Sequence, residues 1–217
     1  LCSRCGEKLF SQYVQTESGP LCGLCRRAEP PFQRAVAYGA YEEALRDLIH
    51  LLKYQRVQSV APCLAKLLQH ALTGLEIPQD TVVIPVPLFK GKRRTRGFNQ
   101  AEQIAKAFVS HWKGSRIQLD TASLVRIRET ASQTGLTRHQ RRANLRGAFA
   151  VTRPDRLMGR TILLVDDVLT TGTTAAECAR VLSRAGAGKV MVATVARAIR
   201  ETEIRLQEPR AAHSAHA

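Results

Sequence analysis

The stretch that most constrains this chain reads Ile162-Leu163-Leu164-Val165-Asp166-Asp167-Val168-Leu169-Thr170-Thr171-Gly172-Thr173-Thr174. Its apolar start predicts a buried strand over 161–165. Two adjacent carboxylates close that strand, and a small, hydroxyl-rich turn opens a helix over 173–185. A second apolar strand is expected at 189–196. Strand, turn, helix and strand within about 35 residues form a βαβ unit, which implies a parallel sheet. The carboxylates then stand at the carboxyl edge of the sheet, where open α/β folds bind ligands.

The turn offers backbone N–H groups, the positive end of a helix and several hydroxyls, a suitable cradle for phosphate. The carboxylates suit different chemistry, since they accept from sugar hydroxyls or hold a magnesium ion. A ligand with ribose hydroxyls and a terminal phosphate satisfies both halves. Two look-alikes lack parts. A nucleotidase strand of this kind needs G-x-x-x-x-G-K-[ST], yet Gly91-Lys92 is followed by Arg93. A phosphorelay receiver needs a further aspartate downstream, and none follows Asp167. The structural alternative is a solvated strand end with a helix cap. It gives no reason for adjacent acids between a buried strand and Thr-Thr-Gly.

Cys2, Cys5, Cys22 and Cys25 have the spacing C-x2-C-x16-C-x2-C. Two such knuckles suit a closed, four-thiolate structural zinc site, a zinc ribbon. Residues 1–29 lack the core to fold unaided, so the metal would supply folding energy. A redox CxxC belongs at a helix start in a thioredoxin-like unit, which is absent from the pattern. A four-thiolate site has no open position and is therefore not a catalytic centre. Cys63 and Cys178 stand alone in apolar contexts and read as buried packing thiols.

Elsewhere, helices are expected over 41–54, 60–72 and 99–112, a buried strand over 81–86, a short helix over 138–145 and a brief strand at 149–151. Glu29-Pro30-Pro31 marks the break after the ribbon. The domains are therefore 1–29, 32–200 and a polar tail, 201–217, that reads as disordered. Phe98 and Trp112 read as core packing, and His139 as a solvent-facing helix residue. No apolar run approaches a membrane span and no signal peptide opens the chain, so a cytoplasmic protein without membrane insertion is expected. Leu1 is not an initiator Met, so a few preceding residues are expected.

The chain has 33 Lys+Arg against 18 Asp+Glu, a formal charge of +15. Much of the excess is local: residues 90–146 carry fourteen basic and three acidic side chains, a net +11. Such a field attracts phosphates, on a nucleic acid or on a small substrate. Aromatics are only 5%, so stacking platforms for single strands are sparse.

The stretch 162–174 resembles the phosphoribosyl pyrophosphate (PRPP) motif of type I phosphoribosyltransferases. The wider pattern resembles the ComF/GntX-like branch: a CxxC…CxxC ribbon, then Pro85-Val86-Pro87, then Arg96-Gly97-Phe98-Asn99-Gln100. Thr130, Gln133, Arg142, Asn144 and Gly147-Ala148-Phe149 continue it. The likeness runs from Cys2 to about Arg197 with its motifs in family order.

The resemblance implies an α/β fold with a mostly parallel sheet flanked by helices and a small N-terminal zinc ribbon. Asp166 and Asp167 would hold the ribose hydroxyls, and Thr170, Thr171, Gly172, Thr173 and Thr174 the 5-phosphate, with Val168 and Leu169 inside the PRPP-binding stretch. Lys90, Lys92, Arg93, Arg94 and Arg96 would form the pyrophosphate side, and 126–144 the loop that closes over the reacting centre. The implied reaction is magnesium-dependent phosphoribosyl transfer, with pyrophosphate leaving. The sequence leaves the acceptor and the oligomeric state open. The alternative is a catalytically idle PRPP-fold module that binds single-stranded DNA or other nucleic acid, since ComF relatives are associated with DNA uptake in natural transformation.

Overall fold

The two strands that bracket the acidic pair become the centre of the sheet. In the computed structural model, which describes residues 1–9, 13–17, 19–130 and 137–198, β8 (Thr161–Leu169) and β9 (Lys189–Arg197) lie side by side, joined by α7 (Thr173–Arg184). β4 (Thr81–Pro85) pairs with the other side of β8, β5 (Ile117–Leu119) extends the sheet beyond β4, and β3 (Arg34–Ala40) extends it beyond β9. The order β3-β9-β8-β4-β5 is parallel at every pairing. Parallel strands need covered crossovers, so both faces are buried and the strands read as continuous apolar runs.

Alternation along β8 divides the core. Ile162 and Leu164 pack with Ala175, Cys178, Ala179 and Leu182 of α7. Leu163 and Val165 face the other layer. That layer comprises α2 (Glu43–Tyr54), α3 (Ala61–Ala71) and α5 (Gln100–His111), which contribute Ile49, Leu52, Leu64, Leu68, Ile104 and Phe108. Two small antiparallel ribbons complete the fold. β1 (Tyr13–Val14) pairs with β2 (Leu21–Cys22) ahead of α1 (Gly23–Arg27). β6 (Leu124–Arg126) pairs with β7 (Phe149–Val151) around α6 (Arg138–Leu145).

Four local expectations change. First, β8 continues through Leu169, so the aspartates lie within the strand, not beyond its end. Hydrogen-bonded register with β9 persists to Leu169 opposite Arg197, which holds the chain extended. Second, residues after Pro87 form a helix, α4 (Lys90–Arg96), ended by Gly97 in the left-handed conformation at φ +88°. Third, β3, β5 and β6 arise where no strand was expected; β3 forms by pairing with β9, some 150 residues downstream. Fourth, Cys178 is buried as expected, but Cys63 is exposed. The buried face of α3 is Ala61, Leu64, Ala65 and Leu68, and Cys63 lies off that stripe.

The Arg96-to-Gln100 motif has a structural account. Phe98 is buried, and Asn99 caps α5 by accepting from the Ala101 N–H at 3.1 Å while donating to the Val86 carbonyl at 2.9 Å. Gln100 accepts from Arg96. Together these contacts lock the α4–α5 corner onto the end of β4. Trp112 is partly buried against Phe108, and His139 is exposed on α6. Gln133 and the tail at 201–217 lie outside the described residues.

Candidate active site at the carboxyl edge of the sheet

Asp166 and Asp167 sit in the extended end of β8. The Asp167 N–H donates to Asp166 Oδ1 at 2.9 Å, and the Val168 N–H to Asp167 Oδ1 at 3.0 Å. Asp167 is buried and ion-paired with Lys53 Nζ from α2; the two side chains are 5% and 16% exposed. Burial opposes the Lys53 charge, but the Asp167 carboxylate outweighs it, and the lysine pKa lies above its ordinary value. Asp166 has the opposite problem. Burial first, then the neighbouring Asp167 charge, push its carboxyl well above the usual carboxylate range, with Lys53 opposing. One lysine thus meets two acids, and the second acid favours its protonated form.

The other neighbours of Asp166 come from α7 and β6. Cys178 feels its charge, and burial raises that thiol well above its ordinary value. Arg126 also feels it; burial is what lowers the pKa of this arginine. The Arg126 guanidinium lies 5.5 Å from the centroid of Phe149, its register partner, and donates to Thr130. On the Lys53 side, Tyr41 is raised by burial, and Asp167 adds to that shift.

Past Leu169 the chain turns through Thr170 and Thr171 to Gly172, which starts α7 in the left-handed conformation at φ +74°. Thr171 and Thr173 share a hydroxyl hydrogen bond of 2.8 Å. Among the described residues no side chain caps α7, and no acid stands in its first turn. Its N-terminus therefore presents N–H donors and a positive dipole end, the physical requirement for an anion.

The five expected pyrophosphate-side cations all fall on α4 or its last residue. Arg93 pairs with Glu102 at 3.3 Å, while Arg96 bonds Gln100 and lies 5.6 Å from the Tyr54 ring centroid. Lys90, Arg93, Arg94 and Gly97 line a shallow surface depression. The helix follows β4, whose continuation bonds β8 through Val86 N–H to the Val165 carbonyl at 2.8 Å. The basic helix and the acids therefore share the carboxyl edge of the sheet.

The four N-terminal cysteines also converge. Their sulfurs all lie within 4.8 Å of one another, and Cys5 Sγ is 3.7 Å from Cys22 Sγ. Zinc–sulfur bonds of about 2.3 Å in a tetrahedron place sulfurs about 3.8 Å apart, so this donor set fits zinc. A hydrogen bond from Cys25 lowers the Cys5 thiol to about 5; burial opposes that shift and Arg197 assists it. The module docks on the sheet. Arg197, at the end of β9, pairs with Glu7 and donates to the Cys5 carbonyl, while the Ala35 N–H of β3 donates to the Arg4 carbonyl at 2.8 Å. Gly6 is required at this contact: its φ is +71°, and a Cβ would lie 2.9 Å from the Ala35 carbonyl oxygen.

Sequence reasoning missed Lys53, and placed Arg126 only as the first residue of the expected closing loop, where the structure has the end of β6. Lys53 follows Ile49 by four residues, so it continues the apolar stripe of α2, and a lysine on such a stripe signals a buried partner. Arg126 had no comparable signal, because β6 is only three residues long and its pairing is nonlocal.

Comparison with known proteins agrees with this geometry. A phosphoribosyl transferase domain model matches residues 94–209. DNA utilization protein YhgH of Escherichia coli O157:H7 is 39% identical over 198 residues, covering 88% of this chain and 82% of that protein. Competence protein F of Haemophilus influenzae is 34% identical over 208 residues, covering 91% and 84%. Amidophosphoribosyltransferase of Saccharomyces cerevisiae is 27% identical over 208 residues, 90% of this chain but 37% of that protein. The chain belongs to the phosphoribosyltransferase-domain family, in the ComF-like branch that includes the YhgH and competence F proteins.

Proposed function

We propose that residues 32–200 bind PRPP with magnesium and transfer its phosphoribosyl group to an acceptor. The observation that carries this reading is the placement of two coupled carboxylates, with one buried lysine, next to an uncapped helix start. Asp166 and Asp167 accept from the ribose hydroxyls, while the N–H groups of 170–174 hold the 5-phosphate. The α4 cations, Lys90, Lys92, Arg93, Arg94 and Arg96, receive the pyrophosphate. Carboxylate oxygens are hard donors that also suit magnesium, which in this chemistry neutralises charge on the leaving group. Arg126 adds positive charge in the neighbourhood of Asp166, and Lys53 balances Asp167. We infer that residues 1–29 form a ribbon in which Cys2, Cys5, Cys22 and Cys25 hold zinc for structure alone. Cytoplasmic location is part of this reading; among the described residues no helix is long and apolar enough to cross a membrane.

A thermal shift tests the ligand. PRPP with magnesium should raise the melting temperature, since a ligand at 100 times its Kd adds about 2.7 kcal/mol. Ribose 5-phosphate without pyrophosphate should raise it less. Equal shifts from inorganic phosphate alone would contradict the proposal.

A second reading rests on the relatives' names, DNA utilization protein and competence protein F, together with the +11 segment. In it the PRPP fold serves a protein that also handles single-stranded DNA or other nucleic acid.

A further inference from the structure

Not all of the positive charge is alike once folded. On α4, Arg93 has Glu102 as an ion partner, Arg96 is held by Gln100 and Tyr54, and Arg56 bonds the Thr95 carbonyl at 2.7 Å. The junction of α6 and α7 is a second concentration of positive charge. Arg142 in the last turn of α6 and Arg146 at its C-cap are one turn apart, as are Arg180 and Arg184 on α7. Glu177 Oε1 accepts from the Gly147 N–H at 2.9 Å, which fastens the end of α6 to α7, and Arg142 and Arg180 line a cavity of about 110 Å³ together with Thr171, Gly172 and Thr173 of the phosphate turn. Arg128 reaches the same corner, donating to the Asn144 and Arg146 carbonyls at 2.8 Å each. The carboxylate within this block is Glu177, which is buried and pairs with Arg180.

Like charges one turn apart destabilise a helix, and five guanidiniums around a single buried acid repel one another. Burial, then Arg184, Arg142 and Arg146, lower the pKa of Arg180, consistent with their closeness. Helix C-termini welcome cations, which accounts for one or two of the five but not for the concentration. Arg128, Arg142, Arg146 and Arg184 are exposed. A guanidinium fork matches phosphate oxygens, and backbone binding needs clustered positive charge without base contacts. A membrane surface would also need apolar side chains to insert. The one large apolar residue of α6, Leu145, is fully buried, and the exposed Ile127 beside Arg128 is a single side chain rather than an apolar face, so nucleic acid is favoured.

We propose that the arginine block of α6 and α7, comprising Arg128, Arg142, Arg146, Arg180 and Arg184, docks the phosphate backbone of a nucleic-acid strand along the flank of the phosphate turn, with Arg146 and Arg184 as its outer part. The proposal rests on the nucleic-acid reading above and names its surface.

The test measures binding of the full chain to a fluorescent oligothymidylate across a salt series, with Arg146→Ala/Arg184→Ala beside wild type and Lys92→Ala/Arg94→Ala on α4. Arg146 and Arg184 lie outside the loop segment and outside the PRPP site, so the thermal shift by PRPP with magnesium should stay intact and report a folded protein. The expected result is at least tenfold weaker binding at low salt. The slope of log affinity against log salt should flatten by about 1.4, at about 0.7 for each single-strand phosphate no longer neutralised. The α4 variant should change less. Wild-type affinity in the α6–α7 variant, or a larger loss in the α4 variant, would overturn the assigned surface and leave the nucleic-acid reading standing. No binding of oligothymidylate or duplex by wild type, with binding to phosphatidylserine vesicles instead, would overturn both. Neither outcome touches the PRPP reading, which the thermal shift reports independently.

Discussion

Two buried ion pairs of nearly equal exposure stand at the carboxyl ends of adjacent strands, and they behave as opposites. Arg197 of β9 pairs with Glu7 of the cysteine module, at 11% and 4% side-chain exposure. Lys53 of α2 pairs with Asp167 of β8, at 16% and 5%. The first is supported from within, because Arg197 also donates to the Cys5 carbonyl. The second adjoins Asp166, a further carboxylate that burial and Asp167 drive toward its protonated form. A buried pair whose cation has a second acceptor in the neighbouring module fastens two parts of a fold. A pair with a surplus acid next to an uncapped helix start is incomplete without a ligand, and perturbed groups of this kind gather at functional sites.

The largest expected effect tests the fastening side. Cys22→Ser should abolish stoichiometric zinc binding, since structural zinc contributes on the order of 10 kcal/mol to such modules. Hydrogen exchange should then show lost protection over 1–29 and along the exposed edge of β3, with β4 and β8 still protected. Full ribbon protection in this variant would contradict a metal-dependent module.

Glu7→Gln should cost about 3–5 kcal/mol, because it leaves Arg197 buried without its counter-charge. Chemical denaturation measures that loss, and neither magnesium nor PRPP should restore it. Lys53→Met should cost a similar amount for the same reason, but here magnesium at millimolar concentration should recover much of the loss by neutralising the uncompensated acids. Recovery in both variants, or in neither, would erase the distinction between the two pairs.

The smallest effect concerns pH. Asp166 has a folded pKa raised above its unfolded value, so its contribution is fully present below the unfolded carboxylate pKa and is lost as pH rises through the raised value. Asp166→Asn removes that dependence. The variant should melt higher than wild type at pH 8 and close to it at pH 4. A variant that melts lower at pH 8 would mean that Asp166 is stabilised as a carboxylate.

Much of this was legible in the sequence where the signal is local. The apolar run 162–165, the following helix and strand, and the paired CxxC knuckles each carry their own pattern, and the structure places them as expected. What escaped depends on distant pairing. β3 reads Arg-Ala-Val-Ala-Tyr-Gly-Ala, with small side chains and a glycine, and becomes a strand through register with β9. Lys53 acquires meaning only because α2 packs over β8, and β8 outruns its apolar segment because β9 continues beside it. No element was expected at 90–96, since lysine, arginine and glycine give no apolar period, yet Gly97 caps these residues as a helix.

The most direct measurement is calorimetric titration of PRPP with magnesium into wild type and into Asp166→Asn/Asp167→Asn. Saturable binding near one equivalent by wild type, lost in the double variant while its fold persists, is the predicted result. No heat with wild type, or equal affinity in both proteins, would contradict the assignment of the acid pair as the PRPP site.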